Sequence, residues 1–310
     1  MIYATLRQGG IHAFERVPCQ DCIHTLRRGS VQAAALCDGA GSLPGAYQAA
    51  HAFSRAMCQW IAENLPRLLR MPEERVRLLA ADRIEEVLSD LALGHPEAKS
   101  AFGCTLLLCA MDMKTGASLC LQLGDGLIAE CRGTGAVPLS LPNQGREHRS
   151  TYLTTSSRET ILARMQVIRG RDGQAFFLMS DGAEGAFYRI DGQRVTPTAG
   201  LFPELLQEFQ LRPRAFHQMM EYLLAARIKP TDDFSLGILC RDAPPLPPSP
   251  GPCRVQKSYA RYLAARRSGA SPLSACRLAG WRKRDLPKRR AWLLSRQIEE
   301  TCPDPLPVSL

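Results

Sequence analysis

The sequence has no apolar run long enough to cross a bilayer. The longest, residues 104–111, is already broken by Thr105, whereas a crossing helix needs about 20 apolar residues. Its opening, MIYATLRQGG, lacks a positively charged start followed by an apolar stretch. No secretory signal is therefore expected, and the chain is expected in the cytoplasm. Cysteine is plentiful, but paired cysteine is not. Of 12 cysteines, only Cys19 and Cys22 form a CxxC, and no second pair or spaced histidines follow at zinc-finger distance. The others sit singly, most of them in apolar stretches where a reduced thiol acts as a small hydrophobe. Reduced cysteines are the expectation. Internal repeats are also absent, as is any recognised DNA-binding motif.

What is present describes a globular chain: 310 residues, 45% hydrophobic and 22% charged, enough for one large core or one domain with an appendage. The formal net charge of +9 is unevenly placed. Residues 253–310 carry 13 Lys/Arg against 4 Asp/Glu, and the preceding residues hold 26 of each sign. A Pro-rich stretch, RDAPPLPPSPGP, separates the two parts and reads as a semi-rigid linker. The expected organisation is a folded domain over 1–241, a linker over 242–252 and a basic helical tail over 253–310. In the tail, Arg266-Arg267, Arg282-Lys283-Arg284 and Lys288-Arg289-Arg290 interleave with Tyr259, Tyr262, Leu263, Leu278, Trp281 and Trp292. That mixture suits docking on the body or on a protein partner. Nucleic acid is the less favoured partner, and no membrane contact is expected.

Along the body, residues 2–6 predict a strand, and 10–21 a loop ending on an acid. Residues 22–26 and 30–37 predict a hairpin around Arg27-Arg28-Gly29. This leaves Asp21 and Asp38 at opposite ends of neighbouring strands, or at one end if the loop folds back. Apolar steps of three and four residues predict helices over 45–65 and 72–93. Strands are predicted at 101–111, 117–123 and 127–132, a loop at 133–150, and further strands at 150–154, 161–169 and 174–179. Helices at 200–209 and 214–227 and a last strand at 234–240 complete the body.

The informative feature is a recurrence. Asp21, Asp38, Asp125, Asp181 and Asp232 each adjoin a short apolar run, mostly beside glycine. One such acid is an ordinary turn, and a plain hairpin turn is the less favoured reading of Asp125 in Gly124-Asp125-Gly126. Five make convergence at one sheet edge the better reading. Gathered carboxylates repel and are costly to desolvate unless divalent cations neutralise them. Hard oxygen donors favour Mg²⁺ or Mn²⁺ over zinc. Two such ions can activate a water and clamp phosphoryl oxygens.

The order Arg16…Gln20-Asp21, Asp38-Gly39-Ala40-Gly41, Phe102-Gly103-Cys104-Thr105, Gly124-Asp125-Gly126, Ser180-Asp181-Gly182 and Asp232-Asp233-Phe234-Ser235 resembles the PP2C-type metal-dependent serine/threonine protein phosphatase family over residues 1–241, particularly its bacterial branch. The resemblance implies an α+β fold: a four-layer α-β-β-α sandwich of two antiparallel sheets flanked by helices, with metals in a cleft at one end. It implies Asp38 bridging two Mn²⁺ or Mg²⁺ ions, the Gly39 carbonyl on one of them, Asp181 and Asp232 on the first ion, Asp21 acting on the second, and Asp125 on a third, looser ion. It further implies that Arg16 grips phosphate while a hydroxide bridging the ions attacks phosphorus in line. The implied substrate is a phosphoserine or phosphothreonine protein, the product of a bacterial Ser/Thr kinase. Asp233 reads as a supporting or surface acid. Departures include Ala40 where some members have a histidine, Gly126 where a serine is common, and a different flap over 133–170. The alternative reading is a catalytically weak phosphoprotein-binding or adaptor protein acting through its tail.

Overall fold

The computed structural model describes residues 1–93, 96–132, 135–142, 151–191, 194–198 and 201–241; the expected linker and basic tail lie outside them. The chain opens with β1 (Ile2–Arg7), α1 (Gly10–Glu15), β2 (Asp21–Arg28), β3 (Val31–Asp38), α2 (Ala46–Leu68) and α3 (Glu73–Ala92). Strands β4 (Leu106–Asp112), β5 (Ser118–Leu123), β6 (Leu127–Arg132) and β7 (Gly135–Pro138) follow. Next come α4 (Arg158–Arg164), β8 (Gln166–Gly170), β9 (Ala175–Met179), β10 (Tyr188–Asp191) and β11 (Arg194–Pro197). Helices α5 (Leu201–Leu211) and α6 (Pro213–Tyr222) precede β12 (Phe234–Cys240).

Two five-stranded antiparallel sheets run in the orders β2-β3-β4-β5-β8 and β1-β12-β9-β6-β7, and β10 and β11 form a separate hairpin. Three apolar layers explain how they stack. Ala34, Leu36, Leu107, Cys109, Phe176, Leu178 and Leu239 form the layer between the sheets. Alternate residues of the first sheet, including Ala33, Ala35, Leu106 and Leu108, pack with Phe53, Met57, Ile61 and Leu65 of α2 and with Ile84 of α3. Phe177, Leu236 and Ile238 of the second sheet pack with Phe202 and Phe209 of α5 and Phe216 of α6. Strands buried on both faces read as continuous apolar runs, which is why β3 and β9 show no polar alternation. The result is the four-layer α-β-β-α sandwich anticipated from the motifs. The first and last strands of the body are neighbours, Ile2 opposite Leu239, so the sheet closes the chain's long loop.

Several local expectations differ from the structure. The loop expected at 10–21 contains the short helix α1, and the loop expected at 133–150 contains β7. A single strand expected at 101–111 begins only at Leu106. Before it, the Gly103 carbonyl accepts from the Ala40 N–H and the Ala101 carbonyl from the Gly45 N–H, so these backbone groups serve the 38–45 loop rather than a ladder. No strand forms over 151–154. The strand expected at 161–169 is split into α4 and β8. Ser157 starts that helix, its side chain accepting from the Thr160 N–H; this local cap outweighs the short apolar run that follows. The β10–β11 hairpin was not expected.

Leu178 is fully buried between the sheets. Replacing it with alanine removes packing on both sides, and Leu178→Ala is expected to cost about 3 kcal/mol in chemical denaturation. A loss below about 1 kcal/mol would contradict the two-sheet core.

Candidate metal centre

The β2–β3 hairpin settles where the first two acids lie. Its register sets Asp21 opposite Asp38, and residues directly opposite in an antiparallel pair share one sheet face. Their hairpin neighbours Ile23, Ala34 and Leu36 belong to the layer between the sheets, so by the two-residue period both acids face the second sheet. The backbone of Asp38 is fixed from the neighbouring segment: its N–H donates to Thr105 Oγ1 at 3.0 Å, and its carbonyl accepts from the Thr105 N–H at 2.8 Å.

The other acids arrive from the opposite sheet and from the crossover. Asp181 follows β9, at the head of a short 3₁₀ turn. Asp125 sits between β5 and β6, which belong to different sheets, so Gly124-Asp125-Gly126 is an inter-sheet crossover and not a hairpin turn. The Thr151 hydroxyl donates to Asp125 Oδ2. Carboxylate oxygens of Asp38, Asp125 and Asp181 lie within 4.8 Å of one another. Two glycines are demanded by this crowding. A Cβ on Gly182 would lie 1.9 Å from the Asp233 carbonyl oxygen, and one on Gly126 would lie 2.7 Å from that of Met179.

Asp232 and Asp233 divide into different roles. Asp233 is 2% exposed and accepts from the Gly9 N–H at 2.7 Å, His12 Nδ1 at 2.8 Å and the Gln20 N–H at 2.5 Å. It staples the start of β12 to the segment carrying Arg16 and Asp21. Asp232 is exposed and lines, with Asp181, Gly182, Glu184, Arg189 and Thr231, an open cleft of about 590 Å³. Arg16 is exposed, at the left-handed C-cap of α1 with φ 59°. Its guanidinium makes no hydrogen bond or ion pair among the described residues. Gly39 is buried, pairs with Cys104 in an isolated bridge, and its N–H donates to the Gln20 carbonyl at 3.1 Å.

The electrostatics are those of a cluster that lacks positive charge. Burial pushes the Asp38 carboxyl well above the ordinary carboxylate range, and Asp21, Asp181, Asp125 and Asp232 push it further. Asp21 is raised to about 7, chiefly by burial. The hydroxyls of Ser235 and Ser180 partly offset that shift, yet neither Asp21 oxygen reaches hydrogen-bonding geometry with any partner among the described residues. Asp181 is raised to about 6 by burial and then by Asp125 and Asp232. An unpartnered, buried carboxylate behind three converging ones is a donor set that fits hard divalent cations.

The chain matches the family described as Protein phosphatase 2C over residues 8–224, well over half its length. It belongs to that family. Solved structures similar to this phosphatase 2C chain share its fold at low identity. One bacterial serine phosphatase superposes with a TM-score of 0.53 at 12% identity, over 78% of this chain and 98% of its own. Serine/threonine phosphatase Stp1 from Staphylococcus aureus gives 0.52 at 13%, over 78% and 95%. A C. elegans sex determining protein gives 0.52 at 12%, over 77% of this chain and 64% of its own. A sequence search among curated proteins gives no significant match. Within the phosphatase 2C frame, no helix among the described residues is long and apolar enough to cross a membrane.

Sequence reasoning singled out the acids but missed their supports: Thr105 and Thr151 as hydrogen-bond partners of Asp38 and Asp125, and the tie from His12 to Asp233. The doublet Asp232-Asp233 was the available signal, since two adjacent acids at a buried strand start cannot share one environment. Cys22 Sγ accepts from the Ser54 hydroxyl at 3.2 Å and meets His51 Nδ1 at 3.5 Å, while Cys19 Sγ donates to the Asp21 carbonyl at 3.7 Å. Cys22 is buried and Cys19 half-buried, all nine described cysteines are free, and neither belongs to a group of three candidate metal ligands among the described residues.

The raised Asp21 pKa gives metal-free protein a pH dependence of defined sign. A carboxyl with a raised folded pKa binds more protons folded than unfolded, so its contribution to stability is present at low pH and lost as pH rises. For Asp21 the window runs from the ordinary 3.8 up to about 7. Denaturation in EDTA is expected to show wild type losing stability from pH 5 to pH 7 relative to Asp21→Asn, with the variant the more stable of the two at pH 7. Parallel profiles would remove Asp21 from the charge cluster.

Proposed function

We propose that this chain is a Mg²⁺- or Mn²⁺-dependent phosphatase of phosphoserine and phosphothreonine proteins. The observation that carries the reading is the convergence of Asp38, Asp125 and Asp181 within 4.8 Å, backed by the unpartnered buried carboxylate of Asp21. In the proposed arrangement Asp38 would hold two ions, with the Gly39 carbonyl on one of them, Asp181 and Asp232 on the first, Asp21 on the second and Asp125 on a third. When bound, such ions supply a water of lowered pKa and Lewis-acid stabilisation of phosphoryl oxygens. The remaining work belongs to the protein. Thr105 holds the Asp38 backbone in place, and Thr151 orients Asp125. Arg16 is the proposed phosphate-binding cation: its guanidinium is uncommitted, and Asp233 anchors its segment beside Asp232. A planar fork of N–H donors suits a tetrahedral phosphate better than a point charge does.

Ala40 offers no proton to a leaving alkoxide, and His12 is held through its Nδ1 by Asp233. The proposed substrate is a phosphoprotein made by a Ser/Thr kinase, acted on in the cytoplasm, with the domain over 1–241 as the catalytic unit. The basic tail over 253–310 is proposed to dock on the body or on a protein partner.

Hydrolysis of para-nitrophenyl phosphate by the full chain, with Mn²⁺, with Mg²⁺ and with EDTA, tests the reading. Metal-dependent turnover is expected, reduced by more than about a hundredfold in Asp38→Ala, because changes merely to groups that support metal ligands already cost about 10–100-fold. A folded wild type inert with both metals would instead favour the phosphoprotein-binding or adaptor reading.

A further inference from the structure

The cleft holding Asp181 and Asp232 has a second wall that the metal chemistry does not use. It is built by the turn after Asp181 and by β10, and contributes Glu184, Gly185, Arg189 and Ile190. This wall is rigidly tied to the candidate centre. The Tyr188 hydroxyl, fully buried, donates to the Ser180 carbonyl at 3.2 Å. The Gly185 N–H donates to the Tyr188 carbonyl at 2.7 Å, and β10 pairs with β11 from Tyr188 opposite Pro197 to Asp191 opposite Arg194. Arg189 therefore projects from a strand whose preceding residue is anchored one position before Asp181.

The charges of the cleft are not balanced among themselves. Its acids are Asp181, Glu184 and Asp232, and Arg189 is its one cation among the lining residues. Asp181 and Asp232 are committed to cations under the proposed function. Glu184 is folded back on its own hairpin, its Oε1 accepting from the Ile190 N–H at 3.4 Å. Arg189 is exposed and has no hydrogen bond or ion pair through its side chain among the described residues. A free guanidinium facing an open cleft of about 590 Å³ that also holds Asp181 and Asp232 is placed to meet a neighbouring part of a substrate bound there.

We propose that this cleft seats the peptide chain flanking the phosphorylated residue, and that Arg189 reads an acidic side chain on it, making acidic phosphopeptides the preferred substrate class. The proposal rests on the phosphatase reading. It assigns Arg189 to specificity and leaves phosphate binding to Arg16. An arginine fork pairs with a carboxylate through two parallel N–H donors, and lysine keeps the charge but loses the fork.

The test compares two phosphoserine peptides, identical except for Asp or Asn residues flanking the phosphoserine, with the full chain and Mn²⁺. Wild type is expected to prefer the acidic peptide in kcat/KM by about fivefold, the scale of one exposed ion pair worth about 1 kcal/mol. The preference should reside in KM, vanish in Arg189→Ala, survive in part in Arg189→Lys and invert in Arg189→Glu. Equal preference in wild type and Arg189→Ala overturns the proposal while leaving the phosphatase reading intact. A uniform loss on both peptides in Arg189→Ala also overturns it, since that result places Arg189 on the phosphate or in the fold. Should wild type turn over neither peptide, the same ratio is read from fluorescence polarisation of labelled peptides. Acidic preference lost in Arg189→Ala then supports the cleft assignment although the phosphatase reading has failed, and its persistence overturns the assignment.

Discussion

Mutual repulsion among buried carboxylates is the constraint around which this structure is arranged. Asp38, Asp125 and Asp181 meet within 4.8 Å, and Asp21 lies behind them with neither oxygen partnered among the described residues. Left to itself such a group would splay into solvent or take up protons, and the raised Asp21 and Asp181 pKa values record the second tendency. The sandwich holds the acids together because each is anchored by backbone that has other work. Asp38 ends a strand paired on both sides, Asp125 lies in a crossover between sheets, and Asp181 follows a strand buried between β12 and β6. Strain at a site persists when the surroundings over-determine it.

Burial decides what each acid can do. Asp232 and Asp233 are adjacent and chemically identical. One is exposed at the cleft, and the other is enclosed by three donors that saturate it. A carboxylate accepting several short N–H bonds has little left for a ligand, so Asp233 works as a rivet. Asp21 is as deeply buried as Asp233 but lacks those donors, and this leaves it available to a cation. The same contrast separates Arg189, exposed and uncommitted at the cleft, from Arg132, whose guanidinium is engaged by Glu130 in β6.

Most of the architecture was legible because its causes are local or periodic. Runs such as residues 31–37 and 175–179 are apolar on both faces, and helices over 46–68 and 73–92 show three- and four-residue steps. The acids were legible because each terminates an apolar run beside glycine. The failures have equally local reasons. Helix α4 was misread because a single Ser157 cap outweighs a short apolar run, and the β4 start was misplaced because residues 101–103 bond to the 38–45 loop. The β10–β11 hairpin is short, with only Tyr188 and Val195 buried, so it leaves almost no period-two signal.

The amino-acid sequence by itself determined the two hydrophobic periods and the identity of the acids, since those follow from which side chains avoid water and which carry charge; the four layers were implied by the family resemblance that its motifs carry. It left open whether Asp21 and Asp38 share one end of the hairpin, which member of the Asp232-Asp233 pair faces outward, and whether Gly124-Asp125-Gly126 turns a hairpin or changes sheets. Only the tertiary structure decided these. The first depends on the hairpin's register, the second on donors such as Gly9, 224 residues from Asp233, and the third on the sheet that each flanking strand joins; local composition encodes none of these pairings.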